Sequence, residues 1–130
     1  MSENVKKEKD LTAEIKDLVV EFRTDYGTVQ ALNGMEIEIE RGQTLGLVGE
    51  TGAGKTTTGL SLLRLIPDPP GVIVSGSIKL DGKDILQMDE KEMQKLRGKA
   101  VAMIFQDPMT SLDPVYTVGN QIVEMILEHE

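Results

Sequence analysis

The sequence predicts an α/β fold in which a glycine-rich loop joins a buried strand to a helix. Two segments before the loop carry this prediction. Residues 35–40 alternate apolar and acidic side chains, which is typical of a strand with one solvated face. Residues 44–48 form a short apolar run bounded by glycines, which favours a buried strand of a parallel sheet. Leucines at helical spacing begin after the loop, so strand, loop and helix follow one another along the chain.

The other elements follow from local patterns on either side of the loop. Three prolines between residues 67 and 70 end the helix that follows the loop, and Asp81-Gly82 marks a tight turn. In chain order we expect a strand at 15–22, a helix at 56–66, a hairpin arm at 72–80, a helix at 90–96, a strand at 100–105 and an amphipathic helix from Val118.

Composition excludes several classes of function. The 130 residues suffice for one compact domain, which we place at residues 14–130 after a charged, disordered lead-in at residues 1–13. The formal net charge of −8 argues against nucleic acid as a partner, because phosphate backbones attract basic surfaces. No cysteine is present, which excludes disulfides and thiolate metal sites. We expect no secretory signal, because residues 1–10 are charged and no apolar stretch follows them, and no apolar run approaches the ~18 residues of a membrane-spanning helix.

The loop is the most specific feature of the sequence. It is Gly49-Glu50-Thr51-Gly52-Ala53-Gly54-Lys55-Thr56, the Gly-x-x-x-x-Gly-Lys-Thr pattern of a phosphate-binding loop, or P-loop. Its glycines let backbone N–H groups turn toward a phosphate, and the following helix directs its positive end at the same anion. A chance glycine-rich turn is the alternative, and the strand and helix on either side argue against it. The motif therefore predicts binding of the phosphates of a nucleotide, and we expect that nucleotide to be ATP with Mg²⁺.

Each polar side chain after the last glycine of the loop has an expected role. We expect Lys55 to reach the β- and γ-phosphates and the Thr56 hydroxyl to ligate Mg²⁺. Thr57 is placed to reach the α-phosphate.

A second segment resembles a known family. Gln106-Asp107-Pro108-Met109-Thr110-Ser111-Leu112-Asp113-Pro114 resembles the Q-loop of ABC-transporter ATPases. With residues 34–48, 65–71 and 76–78, it is similar to the subfamily that energises dipeptide, oligopeptide and nickel importers. The resemblance extends from about Ile15 to the last residue. It implies a P-loop NTPase fold, the ABC nucleotide-binding domain, with an N-terminal antiparallel β-subdomain.

The resemblance also implies further site residues and partners. Gln106 would complete the shell of Mg²⁺ and the attacking water, and a transmembrane permease would dock on residues 106–114 and the last helix. A second ATPase subunit would face the nucleotide. Tyr26 stands where this family often places a ring that stacks on adenine; the alternative is an ordinary turn residue beside Gly27. Asp113 replaces a frequent asparagine of the subfamily.

The motifs that hydrolysis requires in this family are not found in the sequence. Residues 85–90 imitate the end of a Walker B strand, but Asp89 and Glu92 fit a helix cap better. Residues 74–77 resemble the signature motif only in part, and His129, the sole histidine, is expected to be exposed on the last helix.

We therefore expect an N-terminal portion of an ABC importer ATPase, truncated in the helical subdomain, that binds ATP without hydrolysing it. Such a protein would be cytoplasmic and peripheral on the inner face of the membrane. A stand-alone nucleotide-binding or interaction module that never hydrolyses ATP is the alternative. A different P-loop enzyme has less support, since no Asn-Lys-x-Asp guanine-binding motif is present.

Overall fold

The computed structural model describes residues 9–50, 52, 54–106 and 111–129. The chain divides into two compact units, Met1–Met88 and Asp89–Glu130, where the sequence predicts one domain. The elements are β1 Leu11–Thr24, β2 Gly27–Glu40, α1 Lys55–Leu62, β3 Gly71–Leu80, β4 Lys83–Asp84, a 3-10 helix Ile85–Gln87, α2 Glu90–Leu96 and α3 Val118–His129. None of the described helices is both long enough and apolar enough to cross a membrane.

The first unit is built on an antiparallel sheet with the strand order β2-β1-β3-β4. β1 lies between β2 and β3, and all three strands contribute buried apolar side chains to the core: Ile15 of β1 lies opposite Ile78 of β3, and Val20 of β1 lies opposite Leu32 of β2. The alternation of buried residues along β1 shifts by one at Asp17, whose φ of 48° accompanies an irregularity in the pairing. Leu18 and Val20 return to the buried face after that point and are 0% exposed.

The expected antiparallel strands are confirmed and are longer than the sequence patterns indicate. β1 pairs with β2 from Leu11 opposite Glu40 to Thr24 opposite Gly27. The lead-in predicted for residues 1–13 is therefore too long, because Leu11 already belongs to a paired strand; residues 1–8 lie outside the described residues. The arm predicted at 72–80 is one continuous strand that ends in the turn at Asp81-Gly82.

The helix after the loop is shorter than predicted, because it ends four residues before residue 66, the end that the sequence predicts. α1 ends at Leu62, and Arg64 adopts a left-handed conformation with φ of 51°. The Arg64 and Leu65 N–H groups donate to the carbonyl oxygens of Ser61 (3.1 Å) and Leu60 (2.9 Å), which is the Schellman pattern of a helix end. The Arg64 guanidinium also donates to the carbonyls of Ile85 (3.0 Å) and Met88 (2.6 Å), which stabilises the turn.

Two predicted strands are wrong. Residues 44–48 and 102–105 form no strand, and residue Val101 forms only an isolated bridge with Arg97. Val48 is 93% exposed and Ile104 is 98% exposed. A buried parallel strand requires a neighbouring strand on each side, and the only sheet among the described residues is the antiparallel one.

The second unit contains the two remaining helices. α2 has the predicted bounds Glu90–Leu96, and its predicted cap is confirmed. The Asp89 side chain accepts from the Glu92 N–H at 2.8 Å, and the Glu92 side chain accepts from the Asp89 N–H at 3.1 Å. α3 begins at Val118, as predicted, and the Thr117 hydroxyl accepts from the Asn120 N–H at 3.2 Å at its start.

Candidate nucleotide-binding site

The P-loop is held by backbone conformations that only glycine adopts without strain. Gly52 and Gly54 have φ of 87° and 90°, in the left-handed region. Gly54 is also the residue that caps α1. Thr51 and Ala53, two further predicted site residues, lie outside the described residues.

The first turn of α1 suits an anion. It consists of Lys55, Thr56, Thr57 and Thr58, so it contains a cation and no acidic side chain. The N–H groups at the start of a helix have no acceptor within the helix, and the helix dipole is positive at that end. The Thr56 side chain is exposed and that of Thr57 is half-buried. The start of α1 therefore offers donors, a cation and an accessible hydroxyl in one place.

The Lys55 ammonium lies across the beginning of the loop. It donates to the carbonyl oxygens of Gly49 and of Glu50, the latter at 3.0 Å. A lysine has three donors and no acceptor, so these carbonyls satisfy two of its three hydrogen bonds. A phosphate oxygen can replace a carbonyl as the acceptor, and the charge on the phosphate makes that hydrogen bond stronger.

Two buried hydroxyls in α1 donate to backbone carbonyls, one of them in the loop, and sequence reasoning missed both. The Thr58 hydroxyl donates to the Gly54 carbonyl at 2.8 Å, and the Ser61 hydroxyl donates to the Thr57 carbonyl at 2.7 Å. Thr58 is 2% exposed and Ser61 is 0% exposed, the only buried polar side chains of the described residues. The runs Thr56-Thr57-Thr58 and Leu60-Ser61-Leu62 gave no sign of which hydroxyl turns inward.

Gly54 also packs directly on strand β2. A Cβ atom placed on Gly54 would lie 2.7 Å from Leu32 Cδ2 and 2.9 Å from the Ala31 carbonyl oxygen. These distances are shorter than van der Waals contact, so the position has no room for a side chain. Leu32 is 3% exposed and lies opposite Val20 of β1, which places the last glycine of the loop against the core of the sheet.

Tyr26 lies in the turn between β1 and β2 with its side chain fully exposed. The Thr24 hydroxyl shapes this turn: it donates to the Gly27 carbonyl at 2.9 Å and accepts from the Tyr26 N–H at 3.3 Å. β2 starts at the next residue, Gly27, and reaches the contact with Gly54 at Ala31 and Leu32. The strand that starts beside Tyr26 is therefore also the strand against which Gly54 of the phosphate loop packs.

The turn that precedes the loop is joined by ion pairs to the residue before β1 and to the turn after β3. The Arg41 guanidinium donates to Asp10 at 2.9 Å and to Asp81 at 2.8 Å. The hydrogen bonds to Asp10 and then to Asp81 raise the pKa of Arg41 above its ordinary value. Residues 43–50, which lead from this turn into the loop and include its first two residues, are exposed and form neither helix nor strand.

Gln106 belongs to the second unit, whereas the P-loop belongs to the first. It lies at an exposed bend after residues 102–105, and Asp107–Thr110 of the predicted Q-loop lie outside the described residues. The end of that loop is attached to α3 through Gln121, whose side chain accepts from the Asp113 N–H and donates to the Asp113 carbonyl, both at 2.9 Å. The Asp113 carboxylate accepts from the Val115 N–H at 2.9 Å, a role that asparagine can also fill.

Residues 74–77 and His129, which resemble other family motifs only in part, have structural roles. Residues 74–77 lie within strand β3, which agrees with the conclusion that they are not a signature motif. His129 is half-buried rather than exposed, because its ring lies where a side chain on Gly98 would otherwise be, 2.5 Å from the position of the absent Cβ.

Comparison with known proteins identifies the family. Residues 32–129, more than half of the chain, match the ABC transporter family. The oligopeptide transport ATP-binding protein OppD of Bacillus subtilis is 50% identical over 117 residues, which cover 90% of this chain and 33% of that protein. A probable peptide ABC transporter ATP-binding protein of Sinorhizobium fredii, y4tR, is 43% identical over 92% of this chain and 36% of its own length.

A third relative, the dipeptide transport ATP-binding protein DppD of Bacillus subtilis, is 41% identical over 89% of this chain and 35% of its own length. The chain thus spans about a third of the length of the curated relatives it matches. The P-loop, the antiparallel sheet beside it and the family match agree with one another. The chain belongs to the ABC transporter family of P-loop NTPases.

Proposed function

We propose that the chain is the ATP-binding part of an importer subunit that couples ATP hydrolysis to the transport of peptides. The observation that carries this proposal is the described part of the loop between Gly49 and Thr56: Gly52 and Gly54 are left-handed, α1 starts directly after Gly54, and the Lys55 ammonium lies across the loop. The relatives named above are named as ATP-binding proteins of oligopeptide, dipeptide or peptide transport, which favours a peptide over nickel as the substrate.

The described residues of the loop fit the phosphates of ATP and a magnesium ion. Gly54 brings the backbone close without a side chain, Lys55 exchanges its loop carbonyls for phosphate oxygens, and Thr56 offers an exposed hydroxyl to the metal. Magnesium, when bound, neutralises part of the charge on the phosphates. We extend the site to Glu50, Thr51, Gly52, Ala53 and Thr57 on the pattern of the motif, and to Gln106 and Tyr26 on the resemblance alone.

The partners follow from the same proposal. A transmembrane permease would dock on residues 106–114 and α3, whose apolar residues Val118, Ile122, Met125 and Ile126 are each about half exposed or more. A second ATPase subunit would face the nucleotide. The protein would work on the cytoplasmic side, at the inner face of the membrane. Hydrolysis would depend on a Walker B carboxylate and a signature motif, neither of which this sequence contains.

The alternative, a stand-alone nucleotide-binding module without hydrolysis, is favoured by one observation. The antiparallel sheet of the first unit closes its own core, with Ile15, Leu18 and Ile78 at most 1% exposed. The two functions differ in the partner they require, because an importer subunit binds a permease and a stand-alone module does not. Co-purification of the native gene product with a membrane permease would support the importer subunit and contradict the module.

Calorimetric titration with MgATP tests the proposed binding site. We expect Lys55→Ala to weaken binding about tenfold or more, because a charge-assisted hydrogen bond contributes roughly 1.5–3 kcal/mol. Lys79→Ala removes an exposed lysine from β3 and serves as the matched control, with unchanged affinity. Equal affinity of Lys55→Ala and the unaltered chain would refute the site.

We expect no turnover of ATP by the 130-residue chain. Turnover that is abolished by Lys55→Ala would refute the prediction that the chain binds ATP without hydrolysing it.

A further inference from the structure

The phosphate loop and the antiparallel sheet meet at one close contact. The three nearest atoms to a Cβ placed on Gly54 are two atoms of the Leu32 side chain, at 2.7 and 3.9 Å, and the Ala31 carbonyl oxygen, at 2.9 Å. All three belong to β2, in the middle of a 14-residue strand. The last glycine of the loop therefore packs against two residues that precede it by 22 and 23 positions in the sequence.

This contact is fixed on both sides. Gly54 is held by α1, because its carbonyl accepts from both the N–H (2.9 Å) and the hydroxyl (2.8 Å) of Thr58. Leu32 is held by β1, because it lies opposite Val20, which is 0% exposed. Close-packed interiors transmit a change of even one methylene to their neighbours. A shorter side chain at residue 32 would let Gly54 and the start of α1 move toward the sheet.

We propose that Leu32 is a positioning residue of the nucleotide site, which sets the place of Gly54 and hence the direction of the N–H groups that follow it. This inference rests on the proposed binding of nucleotide phosphates by the same loop. Leu32 does not contact the ligand in this proposal; it acts through Gly54.

Leu32→Val is the variant that tests the proposal. It retains a strand-favouring apolar side chain but shortens its reach, so the methyl nearest to Gly54 is lost. Leu18→Val is the matched control: the substitution is the same, Leu18 is also buried in the sheet, and it lies in β1 rather than against Gly54. Both variants are compared with the unaltered chain by MgATP titration at a temperature where circular dichroism shows each to be folded.

We expect Leu32→Val to raise the Kd for MgATP by about threefold or more, because binding sites tolerate displacements of only about 0.5 Å. Leu18→Val lowers thermal stability to a similar extent and leaves the Kd unchanged. Leu32→Met, which keeps the side chain's reach, should restore most of the affinity. Equal Kd values for Leu32→Val and Leu18→Val would overturn the positioning role.

Lys55→Ala separates this inference from the proposed function. If Lys55→Ala weakens MgATP binding while Leu32→Val does not, the loop binds phosphates and the positioning role of Leu32 is wrong. If neither variant changes the affinity, the binding site itself is wrong. If both weaken it and Leu18→Val does not, both proposals stand.

Discussion

The antiparallel sheet and the segment that leads into the P-loop have similar apolar sequences but different structures. β1 buries its apolar residues, with Leu18 and Val20 at 0% exposure. Residues 44–48 are an apolar run, Thr-Leu-Gly-Leu-Val, yet every one of them is exposed. Apolar sequence alone therefore does not decide which segment is buried.

The difference lies in where each segment finds its partners. β1 and β2 are joined by a two-residue turn, so their pairing starts with Thr24 opposite Gly27 beside the turn and extends along both strands from there. β3 then completes the sheet on the other side of β1. A parallel strand instead requires partners that are distant in sequence. The described residues supply no such partner to residues 44–48.

Truncation of one leucine in each region should give the largest contrast. Leu18→Ala removes a fully buried side chain from β1, and we expect it to lower the free energy of unfolding by about 2–5 kcal/mol. Leu47→Ala removes a side chain that is 42% exposed, and we expect a change of less than about 1 kcal/mol. Urea unfolding followed by circular dichroism measures both. Equal losses in the free energy of unfolding would mean that residues 44–48 are packed in solution, contrary to their exposure in the structure.

A methyl group added to a glycine in each region should give a smaller contrast. A Cβ on Gly76 of β3 would lie 2.6 Å from both the Asp17 carbonyl oxygen and Leu18 Cα, and Gly76 has φ of 103°. We expect Gly76→Ala to lower the free energy of unfolding by about 2 kcal/mol, because it combines backbone strain with overpacking. Around Gly46 no described atom lies within 4 Å of the added Cβ. Gly46→Ala should change stability by less than about 0.5 kcal/mol, and a large loss there would show that the segment is constrained.

The features that the sequence predicts correctly are those set by nearby residues. Asp89 and Glu92 specify a capping box from a spacing of three, and the start and end of α2 follow from it. The alternation at residues 35–40 gives half-buried apolar and exposed acidic side chains, because a strand places neighbours on opposite faces. The P-loop motif identifies the last glycine as the start of a helix.

The features that sequence reasoning misses depend on residues that meet only in three dimensions. The contact of Gly54 with Leu32 joins positions with no spacing rule between them. The early end of α1 depends on Arg64, whose side chain binds carbonyls more than twenty residues away. Residues 44–48 are exposed because the described residues provide no neighbouring strand for them. A local apolar pattern does not show whether such a neighbouring strand exists.

The central claim is that the loop beside the ordered sheet is a site for nucleotide phosphates. Amide hydrogen exchange of the chain with and without saturating MgATP tests it most directly. We predict that amides of residues 43–57 exchange fast without nucleotide, because residues 43–50 carry few hydrogen bonds, and slow down when MgATP is added. The amides of β1 should be slow under both conditions. Unchanged exchange at residues 49–57 in the presence of MgATP would contradict the claim.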